Sequence, residues 1–299
     1  MISTDQDIRD RLGAHGALVW AQEALIRHAS GALSAPPRAH IDLGDGHLVI
    51  TAGRSGDDWY GYRCYDTMPT SLDEQTVVVH DASTGQIVAV AFGTELGARR
   101  TGALGGVAAR TLTGGTIGHL ASIGTGPQAW TQLWAIIGFA RPDRISVYSP
   151  NPARRHEFSQ RAAAQLGLTV TPCSEAREAV TGADLVVLAT NSSTPVIDTS
   201  WLPRDVVVTT MGPKQVSRAE FPPDLVADAA FAVTDSLDQL RSHDPPALVA
   251  DAHGVHELGR VLTGDINPST TVRRIYCSVG LAGSEVHILG RLAQHRSKS

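Results

Sequence analysis

The sequence has few cysteines, little net charge and no long apolar run. Its 299 residues include 3 cysteines, Cys64, Cys173 and Cys277, which lie far apart and form no C-x-x-C pair. An odd, dispersed set of cysteines fits reduced thiols in a cytoplasmic protein better than a disulfide framework. We therefore interpret all three as small buried side chains.

Charge and hydropathy exclude two further classes of protein. A formal net charge of −5 leaves no broad basic surface, so we expect no nucleic-acid partner. No apolar run approaches the roughly 20 residues that span a bilayer. Residues 1–11 are polar and acidic, unlike a signal peptide. These patterns predict a cytoplasmic protein with no membrane partner.

Patterns that would indicate a metal or a nucleophile are also sparse. His253 and His256 have a spacing that can share a helix face, but no third ligand is in view, so we predict no metal site. No nucleophile elbow and no Cys/His arrangement stands out. The twelve histidines otherwise form no cluster.

The most informative pattern that is present is a G-x-G-x-x-A motif, which follows the apolar residues 117–123 and precedes a helical pattern. A strand, a tight turn and a helix N-terminus in this order build a pyrophosphate cradle. The motif alone is weak in a chain with 29 glycines. The cofactor contacts that it predicts are Gly124, Thr125, Gly126, Pro127, Gln128 and Ala129.

Strand and helix patterns alternate around this motif. Helical patterns at 127–140, 151–166 and 174–181 separate β-rich runs at 117–123, 145–148, 169–170, 184–190, 205–209 and 230–234. Such alternation predicts an α/β fold with a doubly wound parallel sheet of the Rossmann type. The Val-rich strands fit a sheet that is covered on both faces.

The N-terminal residues predict a separate α+β arrangement. Helical patterns at 5–12 and 16–30 precede alternating runs at 39–51 and 76–92, with turn signals between strands. The tail at 279–296 has a helical pattern and is expected to pack on this part. We therefore predict one domain from residues 1–97 with 279–299 and a Rossmann domain from residues 98–278.

Residues upstream of the cradle give the motif its context. Arg100 and Thr101, a small-residue stretch and then the cradle residues, in this order and spacing, resemble the ornithine cyclodeaminase/mu-crystallin family. Further matches, such as Pro36-Pro37-Arg38 and residues 278–282, extend over nearly the whole chain. The resemblance implies a Rossmann domain and an α+β domain that binds substrate and forms a homodimer. It also implies chemistry at a Cα=N bond, with hydride exchanged with NAD(H) or NADP(H).

The resemblance implies that Arg38 and Arg100 hold the α-carboxylate of a small amino or imino acid. A bidentate guanidinium fixes the carboxylate plane and so aims the Cα hydrogen at the nicotinamide. Arg63 stands where family members have a lysine in a G-x-K pattern. Because the pKa of arginine exceeds about 12, Arg63 can bind an anion but cannot serve as the base. A structural ion pair is its alternative role.

The loop from Gly212 to Glu220 departs from the family pattern a second time. Ungapped pairing puts Lys214 where cyclodeaminases carry an aspartate that helps to activate the amine or water. A lysine ~4 Å from a second ammonium costs about 4 kcal/mol at an effective dielectric of 20, so a diamine such as ornithine is expected to be a poor substrate.

Three interpretations of Lys214 follow from this pairing. In the first, its positive charge selects an anionic or neutral substrate, for example one with a second carboxylate. In the second, Lys214 has a lowered pKa and donates a proton to the imine nitrogen. A solvated loop lysine is the third alternative.

The end of the second Rossmann strand lacks the acidic residue that binds the ribose hydroxyls of NAD. Ser149, Asn151 and Arg154 are suited to hold a 2′-phosphate, so we favour NADP(H) over NAD(H) as the cofactor. Solvation of the arginines is the alternative. The remaining predicted cofactor contacts are Thr101, Thr190, Met211 and Gly280.

These residues together predict an NAD(P)-dependent oxidoreductase acting on the C–N bond of an amino or imino acid, as a ketimine reductase or an amino-acid dehydrogenase. Lys214 and Arg63 are the candidate catalytic residues, and Arg63 also joins Arg38 and Arg100 as a candidate substrate ligand. A redox-neutral cyclodeaminase, which is an ammonia-lyase, is the alternative enzyme. Because the family lysine and aspartate are both replaced, a catalytically idle NAD(P)H-binding protein is the alternative of another class.

Overall fold

The computed structural model describes residues 1–227, 229, 231–249, 254–268 and 272–297. Two large sheets organise these residues, one from the N-terminal part of the chain and one from the rest. The order of the strands in each sheet decides which side chains come together.

The N-terminal sheet is mostly antiparallel. Its elements are β1 (Ile2–Ser3), α1 (Asp5–Arg11), α2 (Ala14–Ala29), β2 (Leu33–Ser34), β3 (Ala39–Asp42), β4 (His47–Ser55), β5 (Trp59–Asp66), β6 (Gln75–Asp81), β7 (Ile87–Gly93) and the following α3 (Glu95–Thr113). The strand order is β1-β7-β6-β5-β4-β2, with β3 also paired to β4. Residues in β5 alternate between buried and exposed, as expected for a sheet with one covered face.

The second sheet has eight strands, and every pairing in it is parallel. The elements are β8 (His119–Ile123), α4 (Pro127–Ile136), β9 (Arg144–Tyr148), α5 (Pro152–Leu166), β10 (Thr171–Pro172), α6 (Ala176–Val180), β11 (Leu185–Leu188), β12 (Val207–Thr210), β13 (Lys214–Gln215), β14 (Arg218–Ala219), α7 (Pro223–Ala227), β15 (Phe231–Thr234), α8 (Leu237–Arg241), β16 (Val255–Glu257), α9 (Leu258–Leu262), β17 (Arg274–Cys277) and α10 (Ser284–Ser297), with a 3-10 turn at Thr199–Trp201. The strands of the second sheet follow the order β10-β9-β8-β11-β12-β17-β15-β16, and a separate hairpin pairs β13 with β14.

The doubly wound parallel sheet predicted from the sequence is confirmed, with corrections to its strands. The strand predicted at 169–170 lies instead at Thr171–Pro172. Strand β17 was missed, although it lies between β12 and β15 in the sheet. Strand β17 is only four residues long and begins with Arg274, a charged residue that is more typical of a surface than of a buried strand. That guanidinium is buried because it donates to the carbonyl oxygens of Leu112 and Asp205.

The N-terminal sheet also departs from the expected runs. Residues 39–51 and 76–92 each span parts of two strands, with the turn residues between them, and β5 was not predicted at all. Helix α10 packs on β4 to β7, so the C-terminal tail covers one face of this sheet. Among the described residues, no helix is both long and apolar enough to cross a membrane.

Helix α3 connects the two sheets and packs closely on α4. A Cβ at Gly102 would collide with the backbone carbonyl of Thr131 in α4, so only glycine permits this approach. The neighbouring Arg100 and Thr101 are thereby held beside the start of α4, where the predicted cradle lies.

Candidate functional site

The cradle lies between the end of β8 and the start of α4. Gly124 has a φ of +115°, and a Cβ there would collide with the carbonyl oxygen of Ala189. Gly126 is the N-cap residue of α4, and no described side chain caps the helix. The first turn therefore presents backbone N–H groups, and the helix dipole favours an anion in front of them.

A cleft of about 450 Å³ opens at this helix N-terminus. A Cβ at Gly126 would meet no described atom within 4 Å, so the space beside this residue is open. These features fit the pyrophosphate of a dinucleotide, which the cradle would hold. Nine of the predicted cofactor residues line the cleft: Gly124, Thr125, Gly126, Pro127, Gln128, Ser149, Arg154, Thr190 and Met211.

The other four predicted cofactor residues lie elsewhere. Ala129 is 1% exposed and packs in the core. Asn151 caps α5 by accepting hydrogen bonds from the first backbone N–H groups of that helix. Thr101 and Gly280 line a second, smaller cavity. Their contact with a dinucleotide therefore depends on how far its nicotinamide reaches into that cavity.

Two adjacent arginines in the first turn of α5 have different surroundings. Arg155 lies over the ring of Tyr148 and donates a hydrogen bond to the carbonyl oxygen of Ser149. The guanidinium of Arg154 forms no hydrogen bond or ion pair with any residue that the structure describes, and it lines the cleft. Of the two, Arg154 is the one in position to bind a phosphate.

The second cavity has a volume of about 300 Å³ and adjoins the cleft, because Gln128, Met211 and Gly212 line both. The predicted Arg38, Arg63, Arg100 and Lys214 all line this cavity, hereafter the cationic cavity. None of the described residues in its wall is an aspartate or a glutamate. The described part of its wall thus presents cationic hydrogen-bond donors to a ligand and no carboxylate.

Glu285, in the first turn of α10, lies behind two of these arginines. Its Oε1 accepts a hydrogen bond from Arg63 Nη1 at 3.1 Å and another from Arg100 Nη2. Burial alone would raise the pKa of the Glu285 carboxyl, but Arg100 and Arg63 outweigh burial and lower it. The carboxylate is therefore ionised, and it holds both guanidinium groups in place.

Arg38 and Arg100 converge on Gly280. This residue has a φ of +83°, and a Cβ on it would collide with the Arg38 guanidinium and lie 3.1 Å from Arg100 Nη1. The loop is fixed by Asp235, whose carboxylate accepts the backbone N–H groups of Val279 and Gly280, both at 2.9 Å. The Arg38 guanidinium in turn donates to the Val279 carbonyl oxygen. The two arginines can therefore meet the same carboxylate.

Lys214 lies in β13, and its buried side chain lines the cationic cavity. It is 5% exposed, and its Nζ donates a 2.6 Å hydrogen bond to the carbonyl oxygen of Gly212. Burial lowers the pKa of the Lys214 ammonium. Glu220, in the same loop, is buried and accepts the N–H groups of Gly212 and Thr190. The solvated loop lysine considered from the sequence is therefore wrong.

Several residues of this site were missed by sequence reasoning. Glu285 and Asp235 position the arginines, while Tyr65 and His243 line the cationic cavity. Burial, followed by Lys214 and Arg38, lowers the pKa of His243 to about 4, so this side chain is neutral at pH 7. The one available signal was Glu285 itself, the single acid in the C-terminal helix.

Within the described residues, no group of three or more His, Cys, Asp or Glu side chains is arranged to hold a metal ion. His253, one of the two histidines considered for such a site, lies outside the described residues.

Comparison with known proteins identifies the family. A model of the ornithine cyclodeaminase/mu-crystallin family matches residues 1–295. The chain belongs to this family. Among its relatives in the family, Delta(1)-pyrroline-2-carboxylate reductase of Bacillus thuringiensis is 31% identical over 215 residues, which is 69% of this chain and 66% of the reductase. The match therefore spans slightly less than two thirds of that relative.

A second family member, ketimine reductase mu-crystallin of Mus musculus, is 24% identical over 290 residues, which cover 93% of this chain and 91% of that protein. Two solved structures share the fold. Thermococcus litoralis Delta(1)-pyrroline-2-carboxylate reductase, in complex with NADH and L-proline, has a TM-score of 0.88 at 22% identity, covering 100% of this chain and 97% of that one. The iminosuccinate reductase of Paracoccus denitrificans, in complex with NAD+, has a TM-score of 0.84 at 21% identity, covering 99% and 97%. The family and fold predicted from the sequence are both confirmed.

Proposed function

We propose that this chain is an NAD(P)-dependent oxidoreductase that reduces the Cα=N bond of an imino acid, or oxidises the corresponding amino acid in the reverse direction. The observation that carries the proposal is the junction at Gln128, Met211 and Gly212, where a cleft suited to a dinucleotide meets a cavity lined by cations. Relatives named as reductases and dehydrogenases support the same class of reaction.

Arg38 and Arg100 bind the α-carboxylate of the substrate in this proposal. Their guanidinium groups converge on Gly280, and both line the cationic cavity. Two charge-assisted donors fix the plane of a carboxylate and thereby the direction in which Cα faces. The buried Nε of Arg100 has no described hydrogen-bond partner, which leaves this side chain a further donor for a ligand or an ordered water.

Lys214 donates the proton that accompanies reduction. A nicotinamide held in the cleft would supply the hydride that Cα gains. The Lys214 ammonium would give a proton to the imine nitrogen, so that the C=N bond becomes CH–NH and the lysine becomes neutral. Burial favours this transfer because it destabilises the charged ammonium. Arg63 stays protonated throughout and acts as a charged ligand.

We infer that NADP(H) is the preferred cofactor, because Arg154 lines the cleft with no described partner and Ser149 is beside it. Arg154→Gln should weaken NADPH binding by about 1.5 to 3 kcal/mol, the value of one charge-assisted hydrogen bond. NADH, which lacks the 2′-phosphate, provides the matched control. A variant that weakens both cofactors equally, or neither, would contradict this preference.

We also propose that the chain has two domains, that it forms a homodimer and that it is cytoplasmic. Residues 1–97 with 279–299 would bind substrate and pair with a second copy in the cytoplasm, while residues 98–278 would bind the dinucleotide. The exposed side chains of Tyr62 and Phe92 on the N-terminal sheet support a partner on that face. Light scattering of the chain and of Phe92→Lys tests the dimer.

The reaction class is tested by product stoichiometry with a panel of cyclic and linear imino acids. An imine reductase oxidises one NADPH for each amino acid formed. Release of ammonia from an amino acid with no net change in nicotinamide absorbance would favour a cyclodeaminase. Tight NADPH binding with no turnover across the panel would favour an idle binding protein.

A further inference from the structure

The side chain of Lys214 is almost closed off from water. It is 5% exposed, and its Nζ donates to the carbonyl oxygen of Gly212. In the proposed reaction this ammonium loses one proton for each imine that is reduced. That proton has to return from solvent before the next turnover, so the lysine requires a second group that connects it with water.

The buried neighbours of Lys214 are not suited to this task. Apart from Arg38, the described titratable groups whose charge acts on Lys214 are Cys277, Glu220 and Asp235. All three are buried, and burial raises the pKa of the Cys277 thiol to about 12. The two carboxylates accept backbone N–H groups of neighbouring loops. Arg38 does not release its proton at neutral pH.

His243 differs from these groups because its ring lies between the cationic cavity and the surface. The side chain is half-buried and lines the cavity, and the flanking residues Ser242 and Asp244 are exposed. Its Nδ1 is buried and has no hydrogen-bond partner among the described residues. A buried imidazole nitrogen without a partner indicates a ligand, an ordered water or a proton transfer at that position.

Hydrogen bonds on both sides of His243 hold its segment against Lys214 and Arg38. The backbone N–H of Leu248 donates to the Lys214 carbonyl oxygen at 2.8 Å, and the backbone N–H of Arg38 donates to Gln239 Oε1 at 3.1 Å. Burial, followed by the charges of Lys214 and Arg38, lowers the pKa of His243. The ring is therefore within electrostatic reach of both cations.

We propose that His243 relays protons between solvent and Lys214. This inference rests on the proposed function and adds the step that restores the lysine between turnovers. After Lys214 has given its proton to the imine nitrogen, one ring nitrogen of His243 takes a proton from water, and the other passes a proton to the lone pair of Nζ. The ring returns to its neutral form. The net change is one proton taken up from solvent, as the reduction of one C=N bond by one NADPH requires.

The charge of Lys214 sets the order of these steps. While the ammonium is present, its charge lowers the pKa of His243 and keeps the ring neutral. Once Lys214 is neutral this repulsion is gone, so the ring accepts a proton more readily. Proton uptake therefore follows reduction of the imine.

The test separates the first turnover from later ones. Enzyme saturated with NADPH is mixed with the imino acid of the panel that the parent chain reduces fastest, and stopped flow follows NADPH oxidation. In His243→Gln the first turnover should match that of the parent, because Lys214 starts protonated. Later turnovers should be slower by roughly tenfold or more. His15→Gln, at an exposed histidine of α2, is the control and should leave both phases unchanged.

Chemical rescue distinguishes a relay from a structural role. His243→Ala opens space beside the cavity, so imidazole added to the solution should speed the later turnovers and leave the first one unchanged. His243→Phe fills that space and should not respond to imidazole. Equal slowing of the first and later turnovers in His243→Gln, or later turnovers that match the parent, would overturn the relay.

Hydrogen exchange at Lys214 separates the relay from the reaction class. The chain is labelled with ¹⁵N-lysine and saturated with NADP+, and NMR measures exchange of the Nζ hydrogens with water in the absence of substrate. Lys214→Met assigns the signal, and exchange in His243→Gln should be slower than in the parent by about tenfold or more. Slowed exchange in a chain that turns over no imino acid would support the relay and contradict the proposed function. Turnover of imino acids with unchanged exchange in His243→Gln would overturn the relay and leave the proposed function in place.

Discussion

The dinucleotide cleft is built mainly from backbone, whereas the cationic cavity beside it is built from charged side chains. Gly124 and Gly126 shape the cleft through a left-handed φ and an uncapped helix N-terminus, both set within a few residues of sequence. The cavity joins Arg63 of β5 and Arg100 of α3 to Glu285 of α10, across 222 and 185 residues of chain. The start of the cleft is set by residues that are close together in sequence, while the cavity depends on distant charges being present together.

Under the proposed function, the cleft binds the cofactor and the cavity binds the substrate. Backbone N–H groups at a helix N-terminus bind a phosphate whatever the substrate, so the cleft carries the chemistry common to many dinucleotide enzymes. In the proposed reaction the arginines and Lys214 meet the substrate, so the cavity would carry the chemistry particular to this chain. Substitutions in the two regions are therefore expected to change different measured quantities.

The largest effect is expected from Lys214→Met. Loss of the proton donor should lower kcat for imine reduction by roughly 10² to 10⁴ while the affinity for NADPH stays close to that of the parent. Lys214→Arg is the control, because it keeps the charge but cannot release a proton at neutral pH. Stopped-flow measurement of NADPH oxidation reports both variants. Parent-like turnover in Lys214→Arg would remove the lysine from the proton transfer.

The ammonium of Lys214 can also be observed directly, since the chain has only one other lysine, Lys298. Reductive ¹³C-methylation followed by NMR titration should give a resonance that titrates below the usual range of lysine, in accord with the lowered pKa. Lys214→Met assigns it by removing one signal. A resonance that titrates near the ordinary value would contradict a buried proton donor.

The next effect is expected from Glu285→Gln. The change leaves Arg63 and Arg100 without their shared negative charge in a buried position, and breaking such a pair costs about 3 to 5 kcal/mol. Urea unfolding measures the loss, and Glu157→Gln, an exposed acid on α5, is the control that should change stability by less than about 0.5 kcal/mol. Equal stability of the two variants would show that Glu285 does not hold the arginines.

A pair of alanine substitutions separates folding from binding in the cleft. Gly126→Ala adds a methyl group where the structure has open space, so stability should stay unchanged while NADPH binding weakens by about 1.5 to 3 kcal/mol through a displaced phosphate contact. Gly124→Ala should instead destabilise the fold by about 1 to 3 kcal/mol, because its φ is positive and the Cβ meets Ala189. Thermal unfolding and NADPH titration measure the two quantities. Unaltered NADPH affinity in Gly126→Ala would contradict the cradle.

The smallest effect concerns His243, which reports the charge of the cavity. The unfolded chain protonates this histidine near pH 6.5 and the folded protein only near pH 4, so the free energy of unfolding should fall as the pH is lowered between these values. NMR titration should give a pKa of about 4, and Lys214→Met should raise it, because one of the positive charges that lower it is gone. An unchanged His243 pKa in that variant would place Lys214 away from the cavity.

The features that could be predicted from the sequence are those set by residues close together in the chain. The alternation of Val-rich strands with helices, and the glycines after β8, are local patterns, and they predicted the parallel sheet and the cradle. The convergence of Arg38 and Arg100 came from a family resemblance and not from spacing. Asp235 carried no local signal, and Glu285, the one acid in the C-terminal helical pattern, gave no indication of its partners, which lie far away in sequence. Strand β17 was missed because its buried Arg274 resembles a surface residue.

A crystal structure of the enzyme with NADPH would show whether the two cavities form one active centre. We expect the pyrophosphate at the N-terminus of α4 and the nicotinamide ring at the junction formed by Gln128, Met211 and Gly212, with its C4 facing the cavity that contains Lys214. A nicotinamide that lies outside this junction, or phosphates bound away from the start of α4, would show that the two cavities do not act together.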